Sequence, residues 1–263
     1  MSVRHPAVAG MFYPAAPTDL TAAISRAFAD AVPPAPNATV PRALIVPHAG
    51  YVYSGPVAAS AYLRLVPAHA TIRKVVLLGP SHRVHLVGLA APVDHLFATP
   101  LGMVLVDPDL RALVRDLPGV MVDDLPHLHE HSLEVQLPFL QTVLDEFSVL
   151  PLSVGDATTD EVVGVLEAVW DDPGTLVVVS SDLSHYHGYR DAKRLDARTA
   201  AAIVACDARA IDNHDACGCR VVRGLLEFAR RRGLTVEQID LRNSGDTAGD
   251  RDRVVGYGSF AVC

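Results

Sequence analysis

Residues 175–186 read Thr-Leu-Val-Val-Val-Ser-Ser-Asp-Leu-Ser-His-Tyr, an apolar run that passes directly into polar side chains. A short, continuous run of this kind, rich in β-branched residues, predicts a strand that is buried on both faces. Strands buried on both faces are typical of sheets that are covered by helices on each side. This stretch therefore favours an α/β fold.

Other segments of the chain extend the same pattern, since short apolar runs alternate with longer segments of helical period. The predicted strands are residues 43–46, 74–78, 147–154, 175–179 and 254–262. The predicted helices are residues 19–31, 56–65, 107–117, 133–146, 159–170, 190–206 and 217–232. Residues 81–103, which contain Pro92, Pro100 and Gly102, predict a strand or hairpin at the sheet edge. We expect one three-layer α/β domain over residues 1–263, with helices on both faces of a twisted, mostly parallel or mixed sheet.

The composition of the chain excludes several classes of protein. The chain has 263 residues, of which 50% are hydrophobic and 20% charged, so a large core is available. Its formal charge of -8 opposes binding to nucleic acid through a broad basic surface. Four cysteines are too few for a disulfide framework, and no apolar run is long enough to span a membrane. These features predict a soluble, cytoplasmic protein with neither a nucleic-acid partner nor a membrane partner.

Three predicted strands end in histidine-containing stretches. His48 follows the strand at 43–46, His82 follows the strand at 74–78, and Asp182 and His185 follow the strand at 175–179. In an open α/β sheet, ligands bind outside the carboxyl ends of the strands. We therefore expect the three histidines to share one site, whose imidazoles ligate a metal, transfer protons, or do both.

The choice of metal depends on the third ligand. Two histidines and one carboxylate with open positions suit Fe(II) and oxygen chemistry, whereas zinc and copper also accept nitrogen and oxygen donors. The carboxylate candidates are Asp182, Glu134 and Asp246. Fe(II) is the first choice, with copper or zinc as alternatives.

A second histidine cluster lies in the stretch His-Leu-His-Glu-His-Ser-Leu-Glu at residues 127–134. We interpret His127 and His129 as parts of a solvated turn. His131 and Glu134 lie three residues apart at the start of a predicted helix, where they either line the cleft or cap the helix. Ser81, beside His82, and Tyr51, near His48, are further candidates for lining the cleft, although packing beneath it is the simpler role for Tyr51.

Five motifs in order along the chain resemble the Memo family, whose bacterial and archaeal members are called AmmeMemoRadiSam system protein B. They are RHPAVAGMFYP at residues 4–14, PHAGYVYSG at 47–55, LGPSH at 78–82, EHSLEVQLP at 130–138 and SSDLSH at 180–185. The resemblance runs from residue 4 to about residue 260.

The resemblance implies a fold related to class III extradiol dioxygenases, with a metal site at the strand ends. It aligns His48 and His82 with the metal-binding histidines and His185 with an acid or base, with Asp182 beside it. Vertebrate members use a cysteine as the third ligand, and the register places Thr247 at that position. The adjacent Asp246 would restore a two-histidine, one-carboxylate set, and Cys217 is assigned a structural role outside the site.

Vertebrate Memo proteins are described as redox and signalling proteins that bind copper or iron and partner peptides. The leading hypothesis is thus a non-haem metal-dependent redox enzyme of dioxygenase type that acts on a small organic substrate, with His185 and Asp182 as catalytic residues. Two alternatives stay open. One is a non-catalytic scaffold for a metal or a peptide, and the other is a zinc-type metallohydrolase.

Overall fold

The computed structural model of the protein describes residues 2–263, and one twelve-stranded sheet forms its centre. The strands are β1 (Val3–Arg4), β2 (Ala43–Val46), β3 (Lys74–Pro80), β4 (Leu89–Ala91), β5 (Leu96–Thr99), β6 (Gly102–Val106), β7 (Val120–Val122), β8 (Ser148–Val154), β9 (Thr175–Ser180), β10 (His185–His187), β11 (Val236–Asn243) and β12 (Val254–Val262).

Helices of two kinds connect these strands. The α-helices are α1 (Pro17–Ala29), α2 (Tyr51–Tyr62), α3 (Pro108–Val114), α4 (Leu125–Leu128), α5 (Leu137–Val143), α6 (Thr159–Val169), α7 (Tyr189–Val204) and α8 (Cys219–Arg232). Single turns of 3₁₀-helix lie at Glu134–Gln136, Ala208–Ala210 and Ser244–Asp246, and a longer one, Leu63–Ala68, follows α2. No helix within residues 2–263 combines the length and the apolar character needed to cross a bilayer.

The sheet is mixed, with a parallel centre. Strands β6, β8, β3, β9 and β2 lie side by side in that order and are all parallel. Strand β12 pairs antiparallel with β2, and β11 pairs antiparallel with β12. Every residue of β2 and β9 is buried, which explains their uninterrupted apolar sequences.

Two apolar clusters cover the two faces of this sheet. Alternate residues of each central strand point to opposite faces, so Leu77 joins the cluster under α1, α2 and α5, whereas Leu78 joins the cluster under α3, α6 and α8. This arrangement confirms the predicted three-layer α/β architecture. The predicted strands at 43–46 and 254–262 coincide with β2 and β12, and β5 and β6 form the predicted hairpin near the sheet edge.

Two helices begin at residues other than the predicted ones. The helix predicted over 133–146 is divided into the 3₁₀ turn at Glu134–Gln136 and α5, and Pro138 lies in the first turn of α5, where its missing N–H costs no hydrogen bond. Helix α2 begins at Tyr51, before the predicted start at Pro56, because the Gly50 carbonyl already accepts a hydrogen bond from the Ser54 amide. Strand β11 was not predicted; it is half-exposed and is held by its pairing with β12.

Candidate metal centre

The carboxyl ends of three neighbouring parallel strands bring histidines to one cavity. His48 follows β2 by two residues, His82 follows β3 by two residues, and His185 lies beyond the end of β9. All three line a cavity of about 750 Å³ that Asp182 also lines. Residues far apart in the chain thus meet where the topology of a parallel sheet places its ligand crevice.

A third imidazole joins His48 and His82 at the base of this cavity. One possible ligand atom from each of His48, His82 and His131 lies within 4.8 Å of the other two. Within residues 2–263, these three side chains form the group that could hold a metal ion. The rings of His82 and His131 stack with centroids 4.7 Å apart, and the His48 ring meets both of them edge-on. His131, predicted only as a lining or capping residue, is therefore a candidate ligand.

Close packing on β3 delivers His131 to this position. Ser132 donates a hydrogen bond from its Oγ to the Pro80 carbonyl oxygen at 2.9 Å. A Cβ atom at Gly79 would lie 2.9 Å from Ser132 Oγ, so a side chain there would push this segment away from the strand. Gly79 thus allows the segment that carries His131 to approach the end of β3.

The Glu130 carboxylate contacts both His82 and His131. Its Oε1 lies 2.9 Å from His82 Nδ1, and its Oε2 accepts a 2.5 Å hydrogen bond from the His82 amide. The backbone amides of His131 and Ser132 also donate to Oε1, each at 2.9 Å. Burial opposes ionisation of this carboxyl, but the contacts with His131 and His82 outweigh that effect and hold its pKa well below the usual range.

The charge of Glu130 determines the tautomer of a neutral His82 ring. An ionised carboxylate only accepts hydrogen bonds, so His82 Nδ1 carries the proton and Nε2 keeps its lone pair for a ligand. Sequence reasoning did not identify Glu130. Its position between two histidines in the motif was the available signal, because a carboxylate beside imidazoles is a common support for metal-binding histidines.

His48 is almost completely buried, with 2% of its surface exposed. Its amide donates to Asp182 Oδ1 at 2.7 Å, and its Nδ1 lies 2.9 Å from Ser180 Oγ. Burial, followed by repulsion from His82 and His131, holds the pKa of His48 well below its ordinary value. The imidazole is therefore neutral, which is the form that binds metals.

Asp182 and His185, the predicted catalytic pair, line the same cavity. Asp182 is buried, and its Oδ1 is occupied by the His48 amide. Within the described residues no hydrogen bond joins Asp182 to His185, so the aspartate does not orient that imidazole directly. Burial raises the pKa of the Asp182 carboxyl above its usual value, against the hydrogen bond from His48.

Cys217, which the sequence analysis assigned outside the site, lies against His48. Its Sγ is 3.3 Å from His48 Nε2, and the Asp182 amide donates to the same sulfur at 3.3 Å. Burial, reinforced by the Asp182 carboxylate, raises the pKa of this thiol. The assignment of Cys217 outside the site is therefore corrected. The Cys-Gly pair just before α8 was the available signal in the sequence. A Cβ at Gly218 would lie only 2.7 Å from Ser181 Cβ, so a glycine after Cys217 lets this segment pack against the residues that follow β9.

Asp246, the predicted third ligand, does not reach the histidines. Its carboxylate accepts hydrogen bonds from the Tyr189 hydroxyl at 2.5 Å and from the amide of Asn243, the residue that caps the 3₁₀ turn, at 3.1 Å. Thr247, in the same loop, donates from Oγ1 to the Ser244 carbonyl oxygen at 3.2 Å. The expectation of a carboxylate ligand here is corrected, because local hydrogen bonds occupy this carboxylate and the group among residues 2–263 that could hold a metal has His131 as its third member.

Glu134 is buried behind the cluster and does not line the cavity. Its carboxylate pairs with the Arg4 guanidinium and accepts hydrogen bonds from the amides of Ala7 and Val8 and from the Tyr13 hydroxyl. It neither caps a helix nor faces the cleft, the two roles that the sequence suggested. Instead, it attaches the N-terminal segment to the chain just after His131.

Two other residues predicted near the cleft have packing roles. The Tyr51 hydroxyl donates to the Val135 carbonyl oxygen at 2.7 Å while its ring packs against Tyr13 and Phe139. The Ser81 hydroxyl donates to the Val84 carbonyl oxygen at 2.7 Å. Neither side chain lines the cavity of the three histidines.

The motif at residues 127–134 also departs from its predicted form. His127 lies in α4 with 1% of its surface exposed, and its Nε2 donates to the Ala90 carbonyl oxygen at 3.0 Å. The prediction of a solvated turn is thus wrong for His127, because the helical turn directs its ring into the protein. His129 is exposed, as predicted.

A second cavity of about 610 Å³ adjoins the first. His131, Asp182 and His185 line both cavities, together with Phe12 and Tyr186. Tyr186 adopts a positive φ of 63°, an unfavourable conformation for a bulky residue. Its position at the wall between the two cavities places this strained backbone at the site.

Comparisons with known proteins agree with this architecture. The family model described as Memo-like protein matches residues 4–261. A MEMO1 family protein of Aeropyrum pernix is 37% identical over the full length of both chains, and relatives with the same description from Methanopyrus kandleri and Aquifex aeolicus are 38% and 36% identical, with 98% of each chain covered. The crystal structure of the uncharacterized protein JW3007 from Escherichia coli has a TM-score of 0.51 at 13% identity, and the match covers 83% of this chain and 98% of that one.

Proposed function

The chain belongs to the Memo family, and from this premise we propose that it is a metal-dependent redox enzyme whose centre is built on His48, His82 and His131. The observation that carries the proposal is the convergence of three imidazoles, with ligand atoms within 4.8 Å of one another, at the base of a cavity. Fe(II) is the first candidate metal, and copper is the second.

The donor set fits a transition metal of this kind. Imidazole nitrogens suit iron, copper, nickel and zinc, and the Cys217 thiol beside His48 offers a softer donor on the same side. His131 Nδ1 is buried and lies 3.2 Å from Glu130 Oε1, so the carboxylate that contacts His82 also supports this ring.

The cavity and the residues that line it would bind the substrate and transfer protons, while the metal would supply the redox chemistry. The metal, when bound, would supply redox chemistry with O₂, for which ring cleavage of a catechol is one form. The cavity of about 750 Å³ has room for a small organic substrate. Asp182, with its raised pKa, is suited to hold a proton inside the cavity, and His185 is placed to transfer one at its wall.

Hydrolysis by zinc is the second candidate function. Three histidine ligands with an open position are the donor set of a catalytic zinc site, and the buried Asp182 carboxyl beside them could serve as its acid or base. This donor set therefore supports hydrolysis as well as redox chemistry. A scaffold that binds only a metal or a peptide is the non-catalytic alternative.

Anaerobic reconstitution followed by elemental analysis tests the proposal. We expect about one tightly bound Fe(II) per chain and O₂ uptake when catechols are added. Preferential tight binding of zinc, with ester or amide hydrolysis, would support the second candidate. A folded protein that retains no metal would contradict both and would leave the scaffold.

The ligand assignment has a matched pair of variants. We expect His131→Ala to lose bound metal, because it removes one of three converging nitrogens, whereas His129→Ala should retain it. His129 lies two residues away in the same motif and is exposed, so its replacement controls for changes in the loop. Equal metal content in the two variants would show that His131 is not a ligand.

A further inference from the structure

The hydroxyl of Ser180 lies at the centre of a buried hydrogen-bond network behind His48. Ser180 is the last residue of β9 and is fully buried. Its Oγ lies 2.6 Å from the Ser132 carbonyl oxygen, 2.8 Å from Gln136 Nε2 and 2.9 Å from His48 Nδ1. A hydroxyl has one proton to donate and two lone pairs that accept, so one of the three neighbours accepts from Ser180 and the other two donate to it.

The orientation of the Gln136 amide defines one of these roles. Its Oε1 accepts a hydrogen bond from the Tyr62 hydroxyl at 2.8 Å, and its Nε2 donates to the Pro47 carbonyl oxygen at 2.9 Å. A carbonyl oxygen can only accept, so the nitrogen of the amide must face Pro47. The same nitrogen therefore donates to Ser180 and occupies one lone pair of its hydroxyl oxygen.

The Ser132 carbonyl oxygen defines the second role. It also can only accept, and at 2.6 Å from Ser180 Oγ it would repel a lone pair. The single hydroxyl proton of Ser180 is thus directed at Ser132. What remains for His48 is the second lone pair of the oxygen, which requires Nδ1 of His48 to be the donor.

From this network we infer that Ser180 is a positioning residue, which selects the tautomer of His48 that is protonated at Nδ1 and leaves the Nε2 lone pair facing the candidate metal centre. Nε2 is the ring nitrogen on the side of Cys217, whose Sγ lies 3.3 Å away. The tautomer follows from the hydrogen bonds alone, whereas its effect on metal binding rests on the proposed function.

Ser180 and Glu130 perform the same task for different histidines. Each accepts the Nδ1 proton of a histidine and leaves Nε2 free, but Glu130 is a charged acceptor and Ser180 a neutral one. A neutral imidazole binds a metal through its unprotonated nitrogen, so the alternative tautomer of His48 would place a proton where the lone pair is needed. Removal of such supporting partners lowers metal affinity by roughly 10- to 100-fold in other proteins.

The first test uses the metal-free protein and does not depend on metal binding. ¹⁵N-labelled histidine gives different nitrogen shifts for protonated and unprotonated ring positions, and the His48 signals can be assigned by their absence from a His48→Asn variant. We expect the metal-free wild type to show a protonated Nδ1 and an unprotonated Nε2. The reverse pattern at His48 would overturn the inference.

The second test measures Fe(II) affinity by anaerobic competition with a chelator. We expect Ser180→Ala to bind Fe(II) about 10- to 100-fold more weakly and to lose the single-tautomer pattern, and Ser180→Thr, which keeps the hydroxyl, to restore both. Ser60→Ala is the matched control. Ser60 is also fully buried and its hydroxyl also has three partners, at Val32, Pro56 and Asp240, but none of these is a histidine of the candidate metal centre.

The outcomes separate this inference from the proposed function. Ser60→Ala should lose stability without any change in Fe(II) affinity or in the His48 spectrum. Wild-type affinity and an unchanged tautomer in Ser180→Ala would overturn the role of Ser180, as would an equal loss of affinity in Ser60→Ala. A wild type that binds no metal would contradict the proposed function, yet the spectrum of the metal-free protein would still decide the tautomer. If Ser180→Ala does not fold, the ¹⁵N spectrum of the metal-free wild type and the spectrum and Fe(II) affinity of Ser180→Thr still test the role of Ser180.

Discussion

Histidines a few residues apart in this chain differ in what their rings can do, because their surroundings differ. His131 lies at the cavity beside two other imidazoles, whereas His127 is enclosed and bonded to the Ala90 carbonyl oxygen. Burial lowers the pKa of His127 to about 4, from an ordinary value of 6.5. His127 is therefore neutral in the folded protein and has a structural role.

The low pKa of His127 predicts a loss of stability in acid. Between pH 6.5 and about pH 4 the unfolded chain binds a proton at His127 that the folded chain excludes, so the free energy of unfolding falls as the pH falls. This group alone lowers the free energy of unfolding by about 3 kcal/mol across that interval. The loss is absent well above pH 6.5 and is complete below about pH 4. Urea denaturation at about pH 7 and about pH 4 measures the change.

The variant His127→Gln isolates this contribution, because glutamine can donate to the Ala90 carbonyl oxygen but does not titrate. The variant should lose less stability between the two pH values than the wild type does. Parallel losses in the two proteins would mean that His127 does not titrate in this way. His48, which is also buried and neutral, is present in both proteins and cancels from the comparison.

At the scale of elements, the N-terminal strand supports the segment that carries the histidine motif. The Arg4 guanidinium in β1 donates to the carbonyl oxygens of His127 and Glu130, at 3.0 Å and 2.6 Å, and pairs with Glu134. Arg4 and Glu134 are both almost fully buried. Elements more than a hundred residues apart in the chain thus hold the loop between α4 and α5 against the sheet.

Removal of the charge on Glu134 should destabilise the protein strongly. Glu134→Gln leaves the Arg4 guanidinium buried without its partner, and the loss of one member of such a pair costs about 3 to 5 kcal/mol. The exposed pair of Arg73 and Glu146, 3.6 Å apart, provides the control, and Glu146→Gln should cost less than about 1 kcal/mol. Urea denaturation of the two variants compares these costs, and a similar small loss in both would contradict the role of Glu134.

The whole molecule forms the candidate metal centre only when it is folded. His48, His82 and His131 are separated by tens of residues and meet because parallel strands and a supported loop bring them together. An unfolded chain cannot present all three imidazoles at once. Metal binding therefore stabilises the native state relative to the unfolded chain.

This coupling predicts a metal-dependent stability. Free Fe(II) at about 100 times its dissociation constant should raise the free energy of unfolding by about 2.7 kcal/mol under anaerobic conditions. Mg²⁺ prefers oxygen ligands, so it should produce no such increase. Chemical denaturation of wild type and His82→Ala provides the measurement, and an equal increase with Fe(II) in both proteins would show that stabilisation does not depend on His82.

The sequence alone predicted the residues whose positions follow from the sheet. Uninterrupted apolar runs require burial on both faces, which determined the α/β class, and parallel strands place their carboxyl ends at one edge, which placed His48, His82 and His185 around one cavity. Those positions depend on local pattern and on strand direction. Both are visible in the order of the amino acids.

Only the tertiary structure decided which further groups complete the centre. His131 and Cys217 reach His48 because glycines at 79 and 218 allow distant segments to pack on the strand ends, and Glu134 and Arg4 hold one of those segments in place. Asp246 had the expected chemistry, but its carboxylate is used by a local turn and by Tyr189. A side chain's availability depends on every group that competes for it, and those competitors come from all parts of the chain, where no local pattern records them.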